Sequence, residues 1–590
     1  MEAKRWLHAF VLTFFLVGLF AILYTKDSNQ EQHIRDPQVN QQVSISTTFQ
    51  WLKDTVLNAG LGVWQFNKAP ISDQPRKPHG FGLSPNLSTC HKSYAKPGFL
   101  VYCCPPKTEA DEPVIDFVFP DPSAPQRVRR PVHKVDKEYI AKYKKALSIM
   151  KSLPYEDPRS FQRQADMHCI YCTGAYNQKN ADVMLNIHRS WLFFPWHRML
   201  IYFHERILAN LIGDDTFSLS FWNWDIPEGM AMPDLYYTEP FIDTERSAVH
   251  NAPHKVAEIN YNFVDNNRPA KEQISTNLNF MYHQMVSGAK KVELFMGCHY
   301  KPGNNGSCDG PGTIELAPHN ALHSWVGKES NRYLENMGVF YAAARDPIFW
   351  AHHPNIDRLW EVWKDLRGNV PEIIDPDWLD SYFYFHNEYS QLVRVKIRDV
   401  LNVTKLGYSY EDVERPWLNA RPKPSIDPTI ARHVLNTRNN GFLTTQTSDF
   451  RPNGQLLDKN IMVKVHKPNG VRRSEKGKEE ETVLKVYGID MKEDMFVKFD
   501  VYVNAIDATT IGPEAREFAG TFVNVPRGVT LIPNKGDLKR DSKTNLKLGI
   551  SELLEDLQAD GDDFIWVTLV PRGGTGVNTT VDGIRIEYMV

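Results

Sequence analysis

The sequence lacks a strong net charge, and this absence excludes one large class of partner. The 590-residue chain has 68 basic and 71 acidic side chains, and its formal net charge is −3 at pH 7. A protein that binds nucleic acid through the phosphates normally has a marked excess of basic residues. We therefore expect no nucleic-acid partner, and the length alone predicts a large core and more than one domain.

Paired carboxylates in Glu-x-x-His spacing are also missing around the histidines, which argues against a carboxylate-bridged di-iron bundle. The sequence instead has six histidines in two aromatic-rich clusters, DMHCIYC with HRSWLFFPWHR and PHNALHSW with AHHPNIDRLW. Imidazole is a good ligand for copper, zinc, iron and nickel. Three histidines in each cluster therefore predict two metal ions held side by side. The six are His168, His188, His197, His319, His323 and His353.

Local spacing predicts how these histidines are carried. His319 and His323 are four residues apart and share one face of a helix that Pro318 can open. His188 and His197 are nine apart, which one helix face does not accommodate, so we place His188 in a loop. The other histidines in these runs, His204 and His352, are expected to be ordinary buried or surface residues.

The motifs around the histidines resemble those of the plant polyphenol oxidases, the tyrosinase and catechol oxidase family with a type-3 dicopper centre. The matching pieces include HCIYC, HRSWLFFPWHR, FWNWD, PHNALHSWVG and MGVFYAAARDPIFWAHHPNIDRLW. Asp377-Trp378-Leu379 resembles the family's DWL segment, and residues 498–501 resemble its KFDV segment. The likeness covers residues 80–590 and implies a mainly α catalytic domain, a four-helix bundle around the dicopper site.

The resemblance also assigns the two copper ions to particular histidines. CuA takes His168, His188 and His197, and CuB takes His319, His323 and His353. In the adjacent pair His352–His353, the family pattern makes the second residue the ligand. Pro354 follows that ligand and lacks an N–H, so it either tilts His353 or begins a new helical segment.

Three further residues match family positions with roles in catalysis. Glu315 and Asn320 match residues that hold a water able to act as a base, although a helix-entry charge and a capping amide are the simpler alternatives. Phe340 matches a gate ring over CuA, and its simpler alternative is an ordinary core residue. Asp357, one turn after His353, either orients an imidazole or forms an ion pair with a nearby arginine on the helix surface.

The resemblance assigns bonds to five of the seven cysteines. It implies the disulfides Cys90–Cys104 and Cys103–Cys169 and a thioether between Cys172 and His188. Cys298 and Cys308 remain and form a possible third disulfide. Disulfides suit an oxidising compartment, and a buried reduced thiol is the alternative for each cysteine.

Composition divides the chain into five parts. We predict a signal anchor or signal peptide at residues 1–25, a polar stalk at 26–80, the dicopper domain at 81–420, a linker at 421–455 and a C-terminal domain at 456–590. Alternating apolar and polar residues in the last part predict an all-β sandwich. The resemblance implies that this domain shields the copper site until a protease cuts the linker, and a purely stabilising role is the alternative.

The N-terminus predicts a membrane and a compartment. Residues 6–24 form an apolar run that is long enough to span a bilayer, and Lys4 and Arg5 precede it. An uncleaved anchor and a cleaved signal peptide both fit, and a Ser-rich chloroplast transit peptide is absent. We therefore expect a lumenal site such as the vacuole, and not the chloroplast. Four glycosylation sequons agree with this route, at Asn86, Asn305, Asn402 and Asn578.

The expected function is oxidation of catechols to o-quinones by dioxygen, together with hydroxylation of monophenols. Small phenols and dioxygen are the expected reactants, and two copper ions are the expected cofactor. A specialised biosynthetic oxidase of chalcones or lignans is the alternative. A hemocyanin-like oxygen carrier shares the metal chemistry and is the non-enzyme alternative.

Overall fold

A computed structural model describes most of the chain from residue 82 onward. The described residues are 82–96, 99–251, 253–303, 310–368, 373, 375–437, 450, 454–468, 480–491, 495–526 and 543–589. All of them belong to one compact unit, Lys77–Val590. The predicted anchor and stalk, the sequon at Asn305 and most of the predicted linker after residue 437 lie outside the described residues.

The region that contains both histidine clusters is mainly helical, as predicted. Its α-helices are α1 (Lys137–Ser152), α2 (Phe161–Cys172), α3 (Phe193–Ile212), α4 (Ala270–Tyr282), α5 (Val292–Met296), α6 (Asn320–Val326), α7 (Phe349–Arg367), α8 (Pro376–Leu379) and α9 (Pro428–Thr437). Helices α2, α3, α6 and α7 carry predicted ligands, and their inward faces share one apolar core. This arrangement is the helical bundle that the resemblance implied.

The ends of the ligand-bearing helices follow from local sequence. Ser160 caps α2, because its hydroxyl accepts a hydrogen bond from the N–H of Arg163 at 3.3 Å. Gly213 ends α3 in the left-handed conformation with φ 66°. Helix α7 runs through Pro354 without a break. Of the two predicted effects of this proline, the structure therefore excludes a new helical segment.

Short strands wrap the helical region at its edges. They are β1 (Pro85–Asn86), β2 (Ser93–Lys96), β3 (Phe99–Val101), β4 (Val114–Asp116), β5 (Arg127–Arg129), β6 (Asn177–Gln178), β7 (Tyr382–His386), β8 (Leu392–Lys396) and β9 (Tyr408–Tyr410). The three-stranded sheet has the order β4-β8-β7. Strand β4 thereby ties the chain before the first histidine cluster to the chain after the second.

The C-terminal region changes to strands, which pack as two antiparallel sheets. One sheet consists, in order, of β11 (Ile461–His466), β16 (Phe564–Pro571), β13 (Val497–Val503) and β14 (Phe518–Asn524). The other consists, in order, of β15 (Thr544–Gly549), β12 (Glu481–Ile489) and β18 (Gly583–Met589). Apolar side chains between the sheets form a second core, in which the rings of Phe499 and Phe522 lie 5.2 Å apart. The remaining elements of this region are β10 (Gln455–Leu456), α10 (Ser551–Asp556) and β17 (Thr580–Val581).

The β-sandwich is predicted correctly as a fold, with one short helix, α10, that the alternation of residues did not indicate. The sandwich packs directly against the helices, because each region contributes side chains to the core of the other. Leu316, just before α6, belongs to the core of the sandwich, whereas Phe518 and Val523 of β14 belong to the helical core. Strand β14 is therefore the part of the sandwich that lies against the histidine clusters.

A buried cation in the KFDV segment connects the two regions. The ammonium of Lys498 donates hydrogen bonds to Asn260 in the helical region at 2.7 Å and to Asp500 at 2.9 Å. Asp500 also pairs with Arg572 at 2.7 Å. Burial lowers the pKa of Lys498 to about 8 although Asp500 opposes the shift. The pair is fully desolvated, so each charge depends on its partners.

We expect Lys498→Met to reduce the free energy of unfolding by about 3 kcal/mol, because it leaves a buried carboxylate without one of its partners. Lys543 is the matched control, since it pairs with Asp582 at 2.7 Å but is 44 % exposed. Lys543→Met should cost less than about 1 kcal/mol. Urea unfolding of both variants measures the difference, and equal losses would contradict the structural role of Lys498.

Candidate metal centre

The six predicted ligands converge on one region from four helices and one loop. His168 lies on α2, His197 on α3, His323 on α6 and His353 on α7. His319 directly precedes α6, which begins after a non-helical residue, Ala317. The remaining ligand lies in the coil before α3, as predicted for His188. All six side chains are at most 3 % exposed.

Each cluster brings its ligand atoms close enough to share an ion. The ligand atoms of His168, His188, His197 and Cys172 all lie within 4.8 Å of one another. The two clusters also adjoin, since the rings of His197 and His353 stack with their centroids 4.4 Å apart. The arrangement thus offers two neighbouring metal positions, as the sequence predicted.

Hydrogen bonds to main-chain carbonyls fix which nitrogen faces the centre. The Nδ1 atoms of His168 and His197 bond to the carbonyls of Phe340 and Phe193, each at 2.8 Å. A carbonyl only accepts, so Nδ1 must carry the proton and Nε2 must keep its lone pair. The same pattern holds in the second cluster, with His319 on Glu315 at 3.2 Å and His323 on Met337 at 2.7 Å.

Burial keeps these imidazoles neutral. It lowers the pKa of His197 to about 3 and that of His323 to about 4, and it holds the pKa of His168 and His319 well below the ordinary value of an imidazole. A metal binds the neutral ring, because a protonated nitrogen has no lone pair to offer. Neutral rings with a fixed tautomer are the donor set that a type-3 copper pair requires, so the residues fit the metal.

The adjacent histidines of α7 compete for the third place in the second cluster. Distances favour His352, whose ligand atom lies within 4.8 Å of those of His319 and His323. However, the indole N–H of Trp224 points at Nδ1 of His352 at 3.2 Å. An indole nitrogen can only donate, so Nδ1 accepts and Nε2 of His352 carries the proton. A neutral His352 in this tautomer has no lone pair for a metal at Nε2.

His353 has the opposite character. The Nε2 atom of His353 lies 3.4 Å from Nε2 of His323. Nε2 of His323 carries a lone pair, because Nδ1 of His323 has the proton and donates it to a carbonyl. Two imidazole nitrogens at this separation are spaced as ligands of one ion. The hydrogen-bonding argument therefore supports His353 against the distance argument, and the assignment stays a prediction.

The residues predicted to handle substrate all lie at the centre. Phe340 stacks on the ring of His188 with centroids 4.0 Å apart and planes within 6°. A carboxylate oxygen of Glu315 accepts a hydrogen bond from the main-chain N–H of Arg189 at 2.6 Å. Asn320 bonds through its oxygen to Nδ1 of His319 at 2.9 Å. The amide of Asn320 is thus engaged by a ligand, a contact that the sequence did not predict.

Asp357 pairs with arginine, as in the second of its two predicted roles, but the pair is buried and not on the helix surface as predicted. Asp357 accepts hydrogen bonds from Arg198 at 2.6 Å, from Tyr408 at 2.7 Å and from Tyr410 at 2.6 Å. Burial raises its pKa, but Arg198 and Arg129 prevail and hold the pKa of this carboxyl below its usual value. Asp357 therefore clamps α7 to α3 and to β9 and does not orient a ligand.

The predicted disulfides are present where both cysteines lie among the described residues. The structure has the disulfides Cys90–Cys104 and Cys103–Cys169, and the second ties the wrapping segment to α2. Cys298 is disulfide-bonded, but its predicted partner Cys308 lies outside the described residues. Cys172 is buried next to three ligands, and its thioether to His188 stays a prediction.

A buried dinuclear site in a helical bundle, covered by a β-sandwich, defines a dicopper oxidase of the type-3 class. Comparisons with known proteins agree across the chain. Residues 158–366 match the common central domain of tyrosinase, 372–423 the polyphenol oxidase middle domain and 454–588 the chloroplastic polyphenol oxidase C-terminal domain. The chain belongs to the plant polyphenol oxidase family. It is therefore a copper oxidoreductase that uses phenols and dioxygen, and not an oxygen carrier.

Relatives and solved structures extend over most of the chain. Aureusidin synthase of Antirrhinum majus is 45% identical over 85% of this chain and 88% of its own length, and a chloroplastic polyphenol oxidase of Malus domestica is 43% identical over 85% and 84%. The structure of a latent apple tyrosinase has a TM-score of 0.72 with 42% identity, covering 81% of this chain and 100% of its own. Latent aurone synthase has a TM-score of 0.76 with 33% identity, covering 86% and 99%.

The predicted destination is wrong. Polyphenol oxidases of Malus domestica, Prunus armeniaca, Vitis vinifera and Vicia faba that resemble this chain are named chloroplastic, and they point to the chloroplast that we excluded. We inferred the destination from the composition and hydropathy of the N-terminal segment, whereas a targeting signal is recognised by a receptor. No helix among the described residues is long and apolar enough to cross a membrane, and the apolar run at 6–24 lies outside them.

His204 behaves as the ordinary buried residue that we expected, and it supplies a pH test. It stacks on Trp350 with centroids 3.5 Å apart, and burial alone lowers its pKa well below the usual value. Below about pH 6.5, His204 binds a proton in the unfolded chain but stays neutral in the folded chain. The free energy of unfolding therefore falls as the pH drops. In copper-free protein, His204→Phe should therefore lose less stability between about pH 7 and pH 5 than the wild type. Urea unfolding at each pH measures this, and parallel curves would contradict it.

The two histidines of α7 give the sharpest test of the ligand set. We expect His353→Ala to lose one copper ion per chain, since it removes a lone pair at the second metal position. His352→Gln should keep both ions, because this position would only receive the Trp224 hydrogen bond. Metal analysis of purified protein decides the matter, and the reverse pattern would assign the ligand to His352.

Proposed function

We propose that the protein is a latent polyphenol oxidase that oxidises catechols to o-quinones and also hydroxylates monophenols. The observation that supports it most strongly is the set of buried, neutral imidazoles, four of which have Nδ1 held by a main-chain carbonyl. In this proposal CuA is bound by one cluster and CuB by the other. The ligands are His168, His188 and His197 for CuA and His319, His323 and His353 for CuB.

The copper ions, when bound, supply the redox chemistry with dioxygen. Each catechol gives up two electrons and two protons to become an o-quinone. Two catechols therefore reduce one dioxygen to two waters. The protein contributes a dry site, since the proposed ligands are at most 3 % exposed, and it holds four of the imidazoles in a fixed tautomer.

Phe340 orients the phenol in this proposal. Its ring is 3 % exposed and lies flat on the ring of His188. A substrate ring that enters the pocket meets this face before it reaches the metals, and offset stacking of aromatic rings is favourable. Phe340 thus admits flat phenols and keeps water away from the CuA side.

Glu315 receives the proton of a monophenol in this proposal. It is 2 % exposed and lies four residues before the ligand His319. A carboxylate held within reach of a substrate hydroxyl can accept its proton as a general base. Asn320 supports the neighbouring ligand through Nδ1 of His319 and so acts as a positioning residue.

The sandwich domain keeps the enzyme latent in this proposal. The end of β14 supplies the carbonyl of Val523 to Asn320 at 2.9 Å, and Pro526 supplies its carbonyl to the N–H of Phe340 at 3.5 Å. These contacts lie on the residues that a phenol must pass. A protease that cuts within residues 421–455 is the proposed activator, since this region separates the two cores.

Two relatives favour a second candidate substrate class. One is named aureusidin synthase, and another, 42% identical over 83% of this chain, is named (+)-larreatricin hydroxylase. A specialised oxidase of chalcone- or lignan-type phenols uses the same copper site, so the difference lies in the substrate that reaches it.

Substrate assays separate these candidates. We expect copper-loaded, protease-treated enzyme to oxidise 4-methylcatechol and to hydroxylate tyramine. A specialised oxidase would turn over a chalcone at least about tenfold faster than 4-methylcatechol in kcat/KM, which corresponds to a transition-state difference of about 1.4 kcal/mol. Quinone from none of these substrates would refute the oxidase proposal.

Latency is tested by separating cleavage from release of the domain. The two cores share side chains, so we expect cutting alone to raise activity less than cutting followed by removal of the sandwich on a sizing column. Activity is measured before cutting, after cutting and after separation. Equal turnover in all three samples, at equal copper content, would show that the domain only stabilises the protein.

A further inference from the structure

Arg189 connects a copper ligand to the proposed base. It directly follows His188 and has a left-handed backbone, with φ 63°, which a residue with a side chain rarely adopts. This conformation aims its main-chain N–H at Glu315, and the hydrogen bond is 2.6 Å long. The backbone turn that ends the His188 loop is therefore also the turn that holds the carboxylate.

The side chain of Arg189 leaves the site and reaches the sandwich domain. Its guanidinium donates a hydrogen bond to the side-chain oxygen of Asn524, at the end of β14. Asn524 is itself locked, because its NH2 group donates to the carbonyl of Met495 at 2.6 Å and the residue is 3 % exposed. Arg189 is thus held at both ends by fixed groups.

The neighbouring residue of β14 holds the other side of the site. Val523 accepts a hydrogen bond from Asn320 at 2.9 Å, and Asn320 in turn bonds to His319 at 2.9 Å. Two consecutive residues of one strand are thereby linked to the site: Val523 contacts Asn320, which supports His319, and Asn524 contacts Arg189, whose main-chain N–H holds Glu315. A domain that only blocked access would need no such contacts.

We propose that Arg189 is a positioning residue for monophenol hydroxylation: its left-handed backbone holds Glu315 in place, and the sandwich domain reinforces this through Asn524. The inference rests on the proposed role of Glu315. It predicts that the backbone conformation at position 189 matters more than the side chain once the domain is removed.

Two substitutions separate the backbone from the side chain. Arg189→Gly removes the guanidinium but keeps the left-handed conformation, which glycine adopts without strain. Arg189→Val also removes the guanidinium, but a β-branched residue strongly resists this conformation. Asn180→Val is the matched control, because Asn180 is an exposed residue of the same domain with φ 66°.

In protease-treated enzyme freed of the sandwich, we expect Arg189→Val to lower the ratio of tyramine hydroxylation to 4-methylcatechol oxidation about ten- to hundred-fold, since a displaced base loses most of its effect. Arg189→Gly and Asn180→Val should keep the wild-type ratio. Copper content should be unchanged in all three, which distinguishes positioning of Glu315 from damage to the metal site.

A second readout needs no copper. In copper-free protein, hydrogen exchange of a peptide containing the Arg189 amide should be slow in the wild type and in Arg189→Gly. It should accelerate in Glu315→Ala, which removes the acceptor, and in Arg189→Val. In the uncut chain, Asn524→Ala should accelerate it as well, because the side chain of Arg189 is then released.

The outcomes distinguish this inference from the proposed function. Equal hydroxylation ratios and equal exchange in Arg189→Val and Arg189→Gly would overturn the positioning role while leaving the oxidase proposal intact. Wild-type enzyme that oxidises 4-methylcatechol but hydroxylates no tyramine would refute the monophenol reaction and this inference with it. A ratio restored by glycine and lost with valine supports the inference.

Discussion

The hydrogen bonds between main-chain carbonyls and the Nδ1 atoms of four predicted ligands, His168, His197, His319 and His323, are the constraint on which the rest of the structure depends. A buried imidazole has two nitrogens and one proton, and the carbonyl decides where that proton lies. The acceptors of His168 and His323 are Phe340 and Met337, which lie in the stretch between α6 and α7. The ligands of both metal positions are therefore correctly oriented only when this stretch is folded.

The helices and the sandwich both position residues around the histidine clusters. The clamp of Asp357 with Arg198 and two tyrosines fixes α7 against α3 and so fixes the approach of the two histidine clusters. Strand β14 then lies over the remaining side and bonds to Asn320 and Arg189. The sandwich domain therefore bonds to residues that directly follow the predicted ligands His188 and His319.

Local features of the sequence were enough to predict the histidine clusters, the loop position of His188 and the change from helices to strands. Each of these depends on spacing within a few residues. The grip of Asn524 on Arg189 joins positions 335 residues apart and left no local signal, and neither did α10. The choice between His352 and His353 depends on Trp224, a tertiary contact. The destination was predicted wrongly because targeting does not follow from the physics of folding.

The most direct test of the central claim is anomalous X-ray scattering at the copper edge from crystals of the copper-loaded, full-length protein. The carbonyl bonds of His168, His197, His319 and His323 aim Nε2 of these rings at the centre. With the predicted ligands His188 and His353, we expect two peaks, one within bonding distance of His168, His188 and His197 and the other of His319, His323 and His353. A single peak, or a second peak bonded to His352 in place of His353, would contradict the account.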